Sequence, residues 1–322
     1  IRKGEMMKTR RAARFGALLC VCAASFCLLG AEAGESYSFV DMWPEMREGW
    51  YFVGPLAVAV DSSENVFVVD EFDHKVKKFD ASGNLIAKWG SYGSAEGRFD
   101  HPHSVAVGPG GNVYVTDTWN NRIQKFDSSG NLLQKWGSEG SEHGQLSHPQ
   151  GIAVDSWGSV FVGDSGNDRI EKFDSRGNFL SSFASGEPMP GGFDAMGIAV
   201  DQWGNVLVAD SCNQRVEKFD SSGNSLAIWG TCGTGDGEFD CPHGIAVDSE
   251  GNVFVADFNN QRVQKFNGSG WFMTKWGSLG VGNGEFFGAG GLVIDVSGNV
   301  WVTDFWNHRV QKFDCSGNFL GK

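Results

Sequence analysis

Two histidines, His103 and His243, stand at the same place in a pattern that recurs along the chain, one in Pro102-His103-Ser104 and the other in Pro242-His243-Gly244. Imidazole titrates near neutrality and is the commonest nitrogen donor to transition metals, so the pair suits metal ligation or proton transfer. The same place in the other copies holds Leu56, Gln150, Met196 and Gly290. Catalytic zinc asks for three protein donors and one open position. Two histidines fall short, and Gln150 is a poor substitute. Two expectations follow: zinc or another divalent transition metal held by His103 and His243, or no cofactor and histidines that line a binding site as ordinary polar groups. Calcium needs a cluster of oxygen donors, and none of these six places holds a carboxylate. His101 and His148, each just before a proline, stand nearby.

Other residue types offer less. Asp117/Arg122, Asp164/Arg169, Asp210/Arg215, Asp257/Arg262 and Asp304/Arg309 recur in nearly every copy, and a feature that every copy shares answers a need of structure rather than of catalysis. Cys212, Cys232, Cys241 and Cys315 follow the first 33 residues. Cys232 and Cys241 bound a short loop and are expected to pair as a disulfide in an oxidising compartment; a Cys/Cys/Cys/His metal site lacks the usual C-x-x-C spacing. Phe72, Trp119, Phe258 and Trp306 occupy matching loops beside asparagines such as Asn120, Asn259 and Asn307. They form either a platform for sugar or peptide or packing between neighbouring units. No phosphate-cradling glycine loop opens a helix, and no Ser/His/Asp set stands out.

The element that must position these residues is a repeat. Asp61, Gly108, Asp155, Asp201, Asp248 and Asp295 mark six copies, five of the intervals being 46 or 47 residues. Within each copy, four short runs of alternating apolar residues are separated by glycine-bearing turns such as SSGN, the pattern of four antiparallel strands. Four strands at a period near 45 describe propeller blades. The expected fold is all-β, a six-bladed β-propeller of four-stranded blades. The six variable places then face one mouth of the central channel, with small residues (Ala106, Ala153, Ala199, Ala246) where the inner strands converge. The run SYSFVDMW, ending at Trp43, matches the outer strand that ends near Trp89 or Trp136, so an N-terminal strand is expected to close blade six. The final GNFLGK begins a similar copy and stops.

The runs NNRIQKF, NDRIEKF, NQRVEKF, NQRVQKF and NHRVQKF, each after Val-x-Asp and all but NQRVQKF before a Gly-Asn turn, resemble the NHL repeat. The first copy, DHKVKKF, departs by placing Lys75 where the others have arginine. The resemblance implies a six-bladed propeller used as a binding scaffold or, less often, as an enzyme. It is also distantly similar to the amidating-lyase propellers, in which the resemblance implies zinc on the channel axis held by three histidines, some in a Pro-His-Gly setting like that of His243. The third histidine is missing here.

Residues 1–33 are read apart from the fold. KTRRAAR, the apolar run Phe15 to Gly30 and Ala31-Glu32-Ala33 give a basic segment, an apolar core and a small-residue cleavage site, the form of a removable signal peptide; Ile1 to Glu5 precede the first methionine and are expected to lie upstream of the start. The propeller is assigned to 34–322. Residues 1–33 hold six basic and two acidic side chains, so the net charge of −13 becomes −17 without them. Such a surface repels nucleic acid and anionic lipid. The expectation is therefore a secreted, periplasmic or extracellular monomer, not inserted in the membrane once cleaved. It would present His103, Gln150, Met196, His243, Trp119, Phe258 and Trp306 to a protein, peptide or glycan rather than act as an enzyme. The alternative is a metal-dependent lyase or hydrolase of the amidating-lyase type at the channel mouth.

Overall fold

The computed structural model describes residues 52–183 and 192–322. The signal peptide assigned to 1–33 and the strand expected to end at Trp43 lie outside them. Among the described residues no helix is long and apolar enough to cross a membrane.

Six four-stranded antiparallel sheets make up the fold, each formed by four strands in chain order. The inner strands are Pro55–Val60, Pro102–Val107, Pro149–Val154, Ala195–Val200, Pro242–Val247 and Ala289–Ile294. Blade two shows the plan: Val113–Asp117 follows the inner strand, then Arg122–Phe126, then the outer strand Leu132–Trp136. Every residue of Val113–Asp117 is buried, because a second strand is covered on both faces by neighbouring blades; Leu132–Trp136 alternates between half-buried and exposed. The core accordingly lies between blades, with Val69 and Phe67 of blade one packed beside Val105 and Val115 of blade two.

Local chemistry explains the repeating turns. Asp127 Oδ1 accepts the amides of Ser129 and Asn131, its Oδ2 accepts the Asn131 side-chain amide, and Gly130 supplies a φ of +87°. The indole of Trp89, from the blade before, lies against Gly130 so closely that a Cβ there would stand 2.7 Å from the ring. One glycine therefore serves both turn and blade packing. The inner strands also converge more tightly than the alanines suggested. The closest approach falls two residues earlier, at Gly151, Gly197, Gly244 and Gly291, with Ala57 and Ser104 completing the ring.

Among the described residues the fourth strand of blade six is Phe319–Gly321, paired through Lys312 and Phe313; the N-terminal strand expected to close this blade lies outside them. Phe319 packs on Phe313 as the outer strands of other blades do. Among the described residues, blades one and six meet through side-by-side packing: Thr303 Oγ1 donates to the Leu56 carbonyl at 3.0 Å, and Ser297 Oγ donates to Glu64 at 2.8 Å.

Candidate functional site at the channel mouth

Each second strand ends in an aspartate, and these aspartates hold the mouth in shape. Asp117 Oδ1 accepts the amide of Asp100 and the side-chain amide of Asn120; its Oδ2 accepts Arg122 Nε at 2.6 Å and Gln124 Nε2 at 3.0 Å. Arg122 spends its remaining donors on the carbonyls of Ser94, Ala95 and Arg98, fixing the loop between blades one and two. The same set recurs at Asp257 and Asp304. The Asp/Arg pairs are structural clamps.

Blade three contains a fault in this clamp. Gln124 both accepts, from the Gly97 amide, and donates, to Arg98 O and Asp117, whereas Glu171 in the same place can donate only when protonated. Burial pushes its carboxyl up to about 7, with Arg169 and the Gly144 amide opposing and Asp164 adding to the rise. The folded state therefore binds more protons than the unfolded chain between about 4.5 and 7, and this group's contribution to stability is lost as pH rises through that window. Glu171→Gln should raise stability by about 1–3 kcal/mol at pH 7.5 and by much less at pH 4. Urea midpoints at the two pH values check it; an equal gain at both would show that charge is not the cause.

A second recurring contact joins the blades. The residue that ends the turn after each second strand adopts left-handed geometry (His74, Asn121, Asp168, Gln214, Gln261; φ from +52° to +57°). Its side chain accepts a backbone amide at the start of the next blade: His74 Nδ1 from His101, Asn121 from His148, Asp168 from Phe193, Gln214 from Cys241 and Gln261 from Gly288.

Within this frame His103, Met196 and His243 do line one cavity on the channel axis, together with Leu56 and Leu292, of about 60 Å³. That is room for a few water molecules and not for a substrate side chain of any size. Burial drives the His103 imidazole down to about 4 and that of His243 to about 3, the latter aided by the charge of His103. Both rings are neutral at pH 7 and have a buried Nδ1 with no hydrogen-bond partner within the protein. Gln150 is not part of this lining; its Oε1 accepts from Ser165 Oγ at 3.3 Å.

The expected disulfide does not form. Cys232 is an exposed, unbridged thiol in a segment held by the bridge between residues 232 and 239. Cys241, at φ +58°, turns toward the axis, its Sγ 3.4 Å from His243 Nε2 and 3.2 Å from Ser211 Oγ. The left-handed backbone aims the two thiols differently.

The aromatic residues form a continuous arc. Phe258 stacks on His243 with ring centres 4.2 Å apart and leads to Phe305, Phe72, His101, Trp119 and His148 at 4.9–6.4 Å per step. Trp306 joins through Phe305 at 4.8 Å. Trp119 remains 56% exposed and Trp306 47%, so packing between blades does not use them up. Two contributors were not recognised from sequence: Glu71 and Asp194 are desolvated carboxyls beside the rim, pushed up to about 7 and about 6. Comparing the residue before each inner strand (Gly54, His101, His148, Asp194, Cys241, Gly288) across copies is the signal that could have found Asp194.

Four segments, 99–126, 196–219, 239–266 and 288–313, match the family model of the NHL repeat. Blades two, four, five and six thus each contain a segment that matches the NHL repeat. Among solved structures, the propeller is similar to a streptogramin B lyase (13% identity, TM-score 0.61, covering 84% of this chain and 83% of that one). It is also similar to virginiamycin B lyase from Staphylococcus aureus with quinupristin (12%, 0.61, 85% of each). A Bacteroides thetaiotaomicron protein of unknown function gives 17% identity and a TM-score of 0.65 over 81% of this chain and 69% of that one. At these identities the propeller shares their fold. No curated protein matches it by sequence.

Proposed function

We propose that this NHL propeller is a secreted binding scaffold whose channel mouth receives a protein, peptide or glycan. The observation that carries the reading is the aromatic arc from Phe258 to Trp119, with Phe72, Trp119 and Trp306 exposed along it, above a small cavity of about 60 Å³. Rings fixed on a rigid rim offer large contact area at little cost in conformational entropy, the property that makes aromatic residues anchors of interfaces. The negative charge argues against nucleic acid as the partner.

Immobilised peptide and glycan libraries probed with the full chain test this. Trp119→Ala with Trp306→Ala should weaken any captured ligand by about 2–4 kcal/mol while the thermal midpoint stays put, since both side chains are half-exposed. Capture that survives the double substitution would place binding elsewhere.

A lyase or hydrolase at the same mouth is the second reading, favoured by the neutral His103 and His243 on one cavity and by the lyases among its structural neighbours. The donor set fits a catalytic zinc poorly: Gln150 is engaged by Ser165, leaving two imidazoles where three donors are wanted. Metal analysis of the purified chain, then of His103→Ala and His243→Ala, separates the readings; metal that disappears with either histidine supports the enzyme.

A further inference from the structure

We propose that His74, Asp100 and His101 form a binding site for a divalent transition metal at the junction of blades one and two, off the channel axis. One donor atom from each residue lies within 4.8 Å of the other two, and all three residues are half-exposed. Two imidazoles and one carboxylate are borderline donors that suit zinc, cobalt, nickel or iron(II) better than calcium or magnesium.

The placement comes from the backbone. His74 ends its turn at φ +52° and His101 precedes its inner strand at φ +48°, so two left-handed residues from different blades bring their rings to 4.9 Å, nearly perpendicular. Among the five clasped junctions, only this one has histidine on both sides; the others pair Asn121 with His148, Asp168 with Phe193, Gln214 with Cys241 and Gln261 with Gly288. Without an ion, His101 Nδ1 is 2.7 Å from Asp100 Oδ1 and His74 Nδ1 accepts the His101 amide. A cation would replace the proton between His101 and Asp100 and draw His74 from the amide. Donors around a tetrahedral zinc lie ~3.3 Å apart, given bonds of about 2.0–2.1 Å, so the half-exposed side chains must rotate inward to close on it.

The surroundings favour occupancy. Tyr92 packs on His74 and Trp119 on His101, limiting how far either ring can swing. Three protein donors leave at least one position open, toward the aromatic rim, where a carboxylate or imidazole of a partner could complete the shell.

The test uses the untagged full chain, stripped with a chelator and titrated with cobalt(II), then zinc(II), at pH 7.5. One equivalent of cobalt should bind with visible d–d bands and be displaced by zinc. His74→Asn should weaken binding about tenfold or more, since losing a direct ligand costs at least what losing an outer partner does. Its thermal midpoint should hold, because Asn121 makes the same clasp at the next junction. His101→Ala should also abolish the bands, and the double variant His103→Ala/His243→Ala should keep them. Metal no higher than in a buffer blank, unchanged binding by His74→Asn, or loss confined to the axial double variant would each overturn the proposal; the last would support the enzyme reading instead.

Discussion

Asp257→Ala should destabilise the protein by about 3–5 kcal/mol, among the largest losses expected of any single substitution here. Asp257 is fully buried and accepts four hydrogen bonds, from the Asp240 amide, Asn260, Arg262 and Gln264. Removing it leaves the buried Arg262 guanidinium without a counter-ion, although its bonds to the carbonyls of Thr234, Gly235 and Glu238 persist. Burial holds the Asp257 carboxyl above its ordinary range even with Arg262 beside it, so desolvation already offsets part of the pair's attraction. The cost of the substitution is therefore mainly that of the orphaned cation and amides. Asp257→Asn keeps the acceptor oxygen and should lose less. Urea unfolding followed by tryptophan fluorescence measures both; a loss below about 1 kcal/mol for Asp257→Ala would mean the clamp is no stronger than a surface ion pair.

Gly197→Ala should also destabilise the protein, for a different reason. Its Cβ would stand 2.2 Å from the His243 carbonyl oxygen and 3.1 Å from the Ile245 amide, both backbone atoms of the adjoining inner strand. A flexible side chain could swing away, but a strand anchored in its own sheet cannot, so the two blades must part. Overpacking of this kind costs ~1–3 kcal/mol or more. The displaced residue is His243, so the cavity at the channel mouth should change with it. Gly321→Ala, where a Cβ would meet nothing within 4 Å, is the matched control. Equal stability of the two variants would sink this account of inner-strand packing.

The architecture was legible because its causes repeat. Six copies of the alternation, with an Asp-x-x-Gly-Asn turn after the third strand in five of them, carry the same information, and the structure returns six sheets in the same order. What varies between copies was legible only in part. His103, Met196 and His243 share a cavity as their register implies, but Gln150, in the same register, turns to Ser165. Register fixes where a Cα lies, while the choice of hydrogen-bond partner depends on the neighbouring copy. The disulfide failed because Cys241 stands in left-handed backbone that spacing does not show. GNFLGK, with only three strand residues, nevertheless pairs as a strand. His74 escaped notice because it occupies a turn position that looks interchangeable in sequence.

That interchangeability has its own consequence. The contact between successive blades asks for one lone pair, and imidazole, amide and carboxylate all supply it. The scaffold is indifferent to which of them is present, although they differ in charge, acidity and affinity for cations. Substitution at these turns can therefore rewrite the chemistry of the rim one junction at a time while the ring beneath keeps its stability.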